Sequence, residues 1–227
     1  MRNASKPGGR KLGTAAAAAA AVAGSGRSWA RKCATVGGIG TALTLLQAPK
    51  EAKAAQTGAV PHAGVPGTVF ERTFIMVKPD GVSRQLVGDI IKRWERRGFQ
   101  LVAVKVIIPT KKMAETHYAD LKDKPFFPRL CEFLSGNGPV VAMCWQGLDV
   151  IRVSRKMIGD TNPATSAPGT VRADMAVHIG RNVIHGSDGV EGAAKELALW
   201  FSPGEMVKVD SLNIPHIYDT SQAKGLN

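Results

Sequence analysis

The sequence predicts an α/β sandwich, one sheet with helices on one of its faces, preceded by a long segment of different character. Three observations predict it. Apolar runs of strand length alternate with amphipathic stretches of helical period, in the order strand, helix, strand, helices, strand, helix, strand, helix. Composition breaks near residue 70, and the roughly 150 residues beyond it can bury most of their apolar surface in one core without covalent staples. Cys131 and Cys144, the two cysteines in that region, have neither metal-ligand spacing nor a paired framework, so they read as small buried hydrophobes.

The first strand covers 73–77, where every residue from Thr73 to Val77 is apolar or β-branched, and Pro79-Asp80-Gly81 stops it with Lys78 at its tip. From Ser83 onward Leu86, Ile90, Ile91 and Trp94 recur at helical spacing, and Gly98 ends the run. The arginines between them, Arg93, Arg96 and Arg97, read as a solvated helix face. Residues 99–108 form a long strand closed by Pro109, and Thr110 caps a helix carrying Met113, His117 and Leu121. A second helix starts after Pro125 with Leu130, Phe133 and Leu134, making a helix hairpin. Residues 139–145 supply a third strand and 147–158 a short helix. A connection rich in proline, threonine and alanine runs over 159–174, and long irregular connections in compact domains are often functional. The fourth strand is placed at 175–179. The last helix covers 189–201, with Ala194, Leu197, Ala198 and Phe201 on one side.

The amino-terminal part carries most of the charge. Of 30 basic and 18 acidic residues, nine basic and one acidic (Glu51) lie in 1–70. The high net charge of +12 therefore reports mainly this segment, and no specific nucleic acid is expected as a partner. An alanine-rich, acid-poor segment with arginine and lysine reads as an organellar transit or sorting peptide over 1–55, and 56–70, with Gly58, Pro61, Gly64, Pro66 and Gly67, as a linker. The stretch 33–46 is too short and too interrupted by glycine for an ordinary membrane-spanning helix and is followed by small residues at 52–55, as in a bipartite import signal. A retained short anchor and an unstructured Ala/Gly tail are the alternatives. The folded domain is expected over 71–220, with a tail at 221–227.

The chemistry concentrates in Arg181-Asn182-Val183-Ile184-His185-Gly186-Ser187-Asp188. Imidazole changes charge near neutral pH, so His185 can attack as a neutral base and carry a transferred group. Asn182 can donate to a phosphate oxygen, Gly186 admits close backbone approach, and Ser187 and Asp188 begin a turn into a helix. Lys78, at the tip of the first strand, can reach into the same site. Neither a GxxxxGK[ST] loop nor a protein-kinase catalytic loop occurs. His117, His178 and His216 stand outside any metal-ligand spacing.

Together these segments resemble nucleoside diphosphate kinase from about Glu71 to about Tyr218. Further matches are Tyr118-Ala-Asp-Leu121, Lys124-Pro125-Phe126-Phe127, Gly138-Pro-Val-Val-Ala-Met143, Met157-Ile-Gly159, Thr161-Asn-Pro163, Pro168-Gly-Thr-Val-Arg172 and Leu199-Trp200-Phe201. The turn Ser135-Gly136-Asn137-Gly138-Pro139 is one residue longer than the family's usual one, between a helix and a strand where insertions are accommodated. The resemblance implies a ferredoxin-like α+β sandwich with a four-stranded antiparallel sheet and helices packed on it.

It also implies the reaction: transfer of the terminal phosphoryl group of a nucleoside triphosphate to nucleoside diphosphates through a phosphohistidine, ping-pong, with broad base selectivity. His185 is then the nucleophile. Lys78 lies near the transferred group, Arg155 and Arg172 hold the diphosphate with their forked donors, and Thr161 and Asn182 add neutral bonds. Glu196 pairs with the His185 ring, with Tyr118 and Ser187 supporting it, and Phe126 stacks on the base at the pocket mouth. Mg2+ is the implied cofactor, carried on the nucleotide phosphates with no protein metal ligands. A homo-oligomer, as a rule a hexamer, is implied, with 163–169 at subunit contacts. Mitochondrial localisation, with the intermembrane space favoured, is expected, and a plastid, including the thylakoid lumen, is the alternative. A reading from a different class is an oligomeric membrane-tethering or scaffold protein with a vestigial site, whose basic surfaces at 93–97 and 111–112 touch acidic lipid.

Overall fold

The computed structural model describes residues 60–209 and 214–219. The sorting peptide, residues 56–59 of the linker and the 221–227 tail lie outside the described residues. Four strands, β1 (Arg72–Val77), β2 (Gln100–Ile107), β3 (Val140–Gln146) and β4 (Ile184–Gly186), form one sheet in the order β2-β3-β1-β4, antiparallel at every junction. This is the ferredoxin-like arrangement.

Every residue of β1 and β3 is buried, because both faces of the sheet are covered rather than the single face expected. Ile75 and Val77 share a core with Val141, Met143 and Trp145, covered by α2 (Val87–Arg96) through Ile90 and Trp94, by α5 (Val150–Ile158) through Val150, Ile151 and Ile158, and by Val171 of α6 (Val171–Met175). On the opposite face Phe74, Met76, Ala142 and Cys144 meet α3 (Lys111–His117) through Ala114, α4 (Phe127–Gly136) through Cys131 and Leu134, and α7 (Val190–Trp200) through Leu197 and Trp200. Each such fully buried aliphatic side chain stabilises by about 1.5 to 3 kcal/mol. The indole N–H of Trp94 donates to Ser154 Oγ at 2.8 Å, so α2 and α5 share a polar pin inside the apolar layer.

Local chemistry explains the element ends. Thr110 Oγ1 accepts from the Met113 N–H, as its position predicts. Pro79-Asp80-Gly81 ends β1 by opening a short helix, α1 (Pro79–Ser83), with proline at its first turn, and Gln85 at φ +59 separates α1 from α2. At α5 the cap comes from far away in sequence. Asp149 makes no side-chain cap, and Glu71 instead accepts the Ile151 N–H at 3.0 Å and the Gly67 N–H at 2.9 Å, placing a carboxylate at the positive end of the helix.

The fourth strand corrects the sequence reading. Residues 171–175 are helical, capped by Thr170 Oγ1 on the Ala173 N–H, and the strand lies at Ile184–Gly186. Val177 and Ile179 are apolar yet 92% and 52% exposed, so their hydrophobicity reports no burial. The described part of the carboxy-terminal segment, α8 (Ile214–Ile217) and Tyr218, packs on its own domain, where the Tyr218 hydroxyl accepts the Leu148 N–H.

Candidate active site

β4 is short because a strained turn precedes it. The Ile184 N–H donates to Asn182 O at 2.7 Å around Val183, whose φ of +67 is costly for a β-branched residue. Such a conformation stores about 1 to 3 kcal/mol and persists only where its surroundings over-determine it. Here the tip of β1 does so. The Lys78 N–H donates to Val183 O at 2.8 Å, Asp80 Oδ2 accepts the Val183 N–H at 2.9 Å, and a Cβ on Gly81 would stand 3.0 Å from both Val183 O and Cγ1. The two segments that carry Lys78 and His185 are thus one interlocked unit.

Opposite Met76 in the sheet register, His185 emerges from β4 on the face of Phe74 and Trp200. Its Nε2 lies 2.6 Å from Glu196 Oε1, and the Ser187 hydroxyl donates to Glu196 Oε2 while accepting the Phe74 N–H at 3.2 Å. A backbone amide of β1 therefore fixes a hydroxyl, the hydroxyl fixes a carboxylate, and the carboxylate fixes the imidazole. With the ring proton held on Nε2, the lone pair is on Nδ1. The His185 side chain is 23% exposed, enough for a reactant to reach it. Perpendicular rings of Tyr118 and His117 border it at centroid distances of 6.3 and 4.5 Å. Burial pushes the Tyr118 phenol upward, leaving it a donor at neutral pH, and holds the His117 imidazole well below its ordinary range, hence uncharged.

Around this imidazole sit cations that the fold leaves short of counter-charge. Lys78 Nζ donates to Asn182 Oδ1, and the Asn182 amide donates to Thr161 O at 2.8 Å. Arg172 donates to Gly159 O at 3.1 Å, to Ile184 O at 2.9 Å and to Asn182 O at 3.4 Å. Arg155 reaches Gly186 O at 3.3 Å. Burial pulls the Lys78 ammonium down to about 8, an effect partly offset by Asp80 and reinforced by Arg172 and Arg181. Burial first, then the Arg155 charge, pulls Arg172 down to about 10. Desolvated like charges crowded beside a strained turn are a standing cost, which a bound anion would offset.

Of the residues singled out in the sequence, Lys78, Asn182, Arg172, Arg155, His185, Ser187, Glu196 and Tyr118 converge. Thr161 contributes its carbonyl, and its side chain is exposed. Phe126 stands at the entry to α4 with a 53% exposed ring outside the aromatic group around His185. Sequence spacing missed Asp80, which braces Val183, and His117, which reaches His185 only through the fold. It also missed Arg93, which corrects the solvated-face reading: its guanidinium pairs with Asp174 Oδ2 at 2.6 Å and donates to Gly169 O at 2.8 Å, while Asp174 Oδ1 accepts the Gly169 N–H. This latch ties α2 to the segment that presents Arg172. A charge pair on an (i, i+4) helix face leaves a sequence signal, but one spanning 81 residues leaves none.

The sequence model of the nucleoside diphosphate kinase family matches residues 71–206. The chain belongs to the nucleoside diphosphate kinase family. It is 49% identical over 208 residues, 91% of this chain and 87% of the relative, to nucleoside diphosphate kinase III, chloroplastic/mitochondrial, of Arabidopsis thaliana. To nucleoside diphosphate kinase B of Canis lupus familiaris it is 53% identical over 149 residues, 66% of this chain and 97% of the relative. Among solved structures, a halophilic nucleoside diphosphate kinase from Halobacterium salinarum in complex with CDP superposes with a TM-score of 0.63 at 43% identity, covering 65% of this chain and 98% of that one. As a nucleoside diphosphate kinase the chain is an enzyme of phosphoryl transfer between nucleotides.

For this nucleoside diphosphate kinase the latch makes a kinetic prediction. Both partners are about one-third exposed, so the pair is worth about 1 kcal/mol. Arg93→Ala is expected to raise the nucleotide KM by about three- to tenfold with kcat within about twofold, and Arg93→Lys to recover part of the loss, as steady-state kinetics would register.

Proposed function

We propose that the enzyme works by a ping-pong cycle in which His185 carries the phosphoryl group. The observation that carries this reading is the Glu196–His185 pair, which leaves Nδ1 unprotonated on a strand whose carbonyls on either side, Ile184 O and Gly186 O, are held by Arg172 and Arg155. Nδ1 attacks the terminal phosphorus of a nucleoside triphosphate, an N–P bond forms as the bridging P–O bond breaks, and the nucleoside diphosphate leaves with the bond's electron pair. Glu196 balances the positive charge then on the ring. A terminal oxygen of the acceptor diphosphate reverses the steps and restores neutral His185.

The forked donors of Arg155 and Arg172 suit the diphosphate, while Lys78 and Tyr118 are close to the transferred group and Thr161 completes the phosphate contacts. Mg2+ enters with the substrate: among the described residues the one ligand group that could hold an ion is His117, His185 and Glu196, two imidazoles and a carboxylate, which does not suit a hard oxygen-seeking cation. Bound to the phosphates, magnesium neutralises charge on their oxygens. Phe126 offers a base a bare aromatic face, and the flanking Lys124, Pro125, Phe127 and Pro128 supply no paired donor and acceptor to read a base edge, which supports broad selectivity.

Labelled ATP without an acceptor is expected to leave acid-labile, base-stable phosphate on His185, discharged on adding any nucleoside diphosphate. Stable label on serine, or turnover that needs both nucleotides bound at once, sinks the reading.

A pH prediction follows from Lys78. The ammonium loses its charge as pH rises through about 8, so kcat/KM falls above that pH, well before the ordinary lysine range near 10.5. Stability moves the other way: the unfolded chain binds the extra proton between about 8 and 10.5, so the destabilisation from burying a charged Lys78 is relieved as pH rises across that window. Profiles of kcat/KM for the native enzyme and for Lys78→Arg test this, since the arginine variant should lack the alkaline limb.

We also propose a homo-oligomer, a hexamer in its full form, with 163–169 at subunit contacts. The edge strand β2 supports self-association, since Val104 and Val106 on it are 50% and 68% exposed. Sedimentation tests the number. Residues 1–55 act as an organellar sorting peptide and 56–70 as a linker to a domain over 71–220, the mitochondrion with its intermembrane space being the first compartment to examine and the plastid with its lumen the second. The Arabidopsis relative carries both compartment labels, and its match extends upstream of residue 60. Imaging a fusion of residues 1–70 distinguishes them. The scaffold reading draws no support, because Arg93 is spent on Asp174, and among the described residues no helix is long and apolar enough to cross a membrane.

A further inference from the structure

His117 from the end of α3, His185 from β4 and Glu196 from α7 bring three ligand atoms within 4.8 Å of one another. From this we propose an inhibitory site for a borderline transition-metal dication, with Zn2+ as the type case, built on the reactive histidine itself. The donor set suits zinc, which takes imidazole nitrogen and carboxylate oxygen at about 2.0 to 2.2 Å. Tetrahedral donors at that radius stand about 3.3 Å apart. The two measured separations, 2.6 Å between His185 Nε2 and Glu196 Oε1 and 3.8 Å between His117 Nδ1 and the same oxygen, lie on either side of that value. The two imidazole nitrogens lie within 4.8 Å of one another, so adjustments of at most about 1.5 Å close the site, and the part-exposed edge of His185 leaves the fourth position to water.

An independent observation concerns His117. Its side chain is fully buried, its Nε2 has no hydrogen-bond partner, and its Nδ1 receives only the 3.2 Å bond from the Trp200 indole. Zinc on Nδ1 displaces the Trp200 N–H from that lone pair, a single long bond, on an imidazole that the fold otherwise leaves without a hydrogen-bond partner. The mechanism proposed above does not use it either.

The metal acts through the tautomer. A neutral imidazole has one N–H, so zinc on Nε2 of His185 moves that proton to Nδ1, and Glu196 turns from the N–H to the metal. No atom is gained or lost, yet the attacking lone pair is gone. Lys78, Arg155, Arg172 and Asn182 are untouched, so nucleotides still bind, and at constant free zinc an excess of triphosphate does not reverse the block. The inhibition rests on the phosphohistidine reading; the metal binding does not.

The test is nitrogen-15 NMR of the histidine rings in the full chain, free of nucleotide, titrated with ZnCl2. His185 Nε2 should pass from N–H to a metal-bound shift with Nδ1 becoming the N–H, and His117 Nδ1 should move at the same stoichiometry, reversibly with EDTA. Labelling by ATP should fall at least about tenfold at saturating zinc while affinity for a fluorescent diphosphate changes by less than about twofold, and His117→Gln should weaken zinc binding by at least about tenfold. If that variant does not fold, the native titration decides. Unmoved His117 and His185 signals, or zinc inhibition that disappears when triphosphate is raised with free zinc held constant by a metal buffer, overturn the proposal. Should both histidines respond while zinc-free protein takes no label on His185, the metal site stands and the phosphohistidine reading fails.

Discussion

His185→Ala is expected to lower kcat/KM for phosphoryl exchange by a factor on the order of 10^5, the largest effect of any single replacement in the chain. No other described side chain offers an unprotonated nitrogen among Lys78, Arg155 and Arg172, since the nearby His117 is buried behind the His185 ring with its Nδ1 turned to Trp200. The fold should survive. The replacement breaks one hydrogen bond to Glu196, whose second oxygen keeps the Ser187 hydroxyl, so a loss of about 1 kcal/mol is expected. Diphosphate affinity should stay within about threefold because the cations remain. Coupled-assay kinetics with a binding titration and a urea melt separate these effects. Residual exchange above a hundredth of the native rate would refute the assignment.

Arg172→Ala should come second, and it should damage the protein in two ways at once. The guanidinium binds the carbonyls of Gly159, Asn182 and Ile184, tying the end of α5, the strained turn and β4 together. Its removal leaves three carbonyls in a site that is 5% exposed at this residue, a loss of about 2 to 4 kcal/mol. It also removes the donors proposed to hold the diphosphate, which we expect to lower kcat/KM by about 10^2 to 10^3 at a temperature where the variant is folded. Lysine should not rescue it, because a point charge cannot span carbonyls and phosphate with one fork. Near-native kcat/KM in a folded Arg172→Lys would contradict this account.

The parts of the fold that the sequence made legible are those written by neighbours along the chain. The apolar run through Phe74 to Val77, the helical stripe of Ile90 and Trp94, and the Thr110 cap are local signals, and each element formed where they stand. β4 was illegible as a strand because only three residues pair, and what makes them a strand is β1 beside them. The apolar Val177 and Ile179 pointed the reading a few residues too early. The uninterrupted burial of β1 carried a clue to helices on both faces, since a half-solvated strand alternates and this one does not. Within the site, residue types with distinctive chemistry were readable: a histidine near a strand end, a lysine at a strand tip, arginines in matched motifs. Their supports were not. Glu71 capping α5, Asp80 bracing Val183, Arg93 latching Asp174 and His117 bordering His185 all join residues dozens of positions apart, and none has a period or spacing to announce it.

The central claim is that the fold holds the His185 proton on Nε2 so that Nδ1 takes the phosphoryl group. Phosphorus-31 and nitrogen-15 NMR of the enzyme trapped after reaction with ATP alone tests it most directly. The account predicts a single phosphoramidate on Nδ1 of His185 with an N–H still on Nε2 facing Glu196; phosphorus on Nε2, or on any other residue, would contradict it.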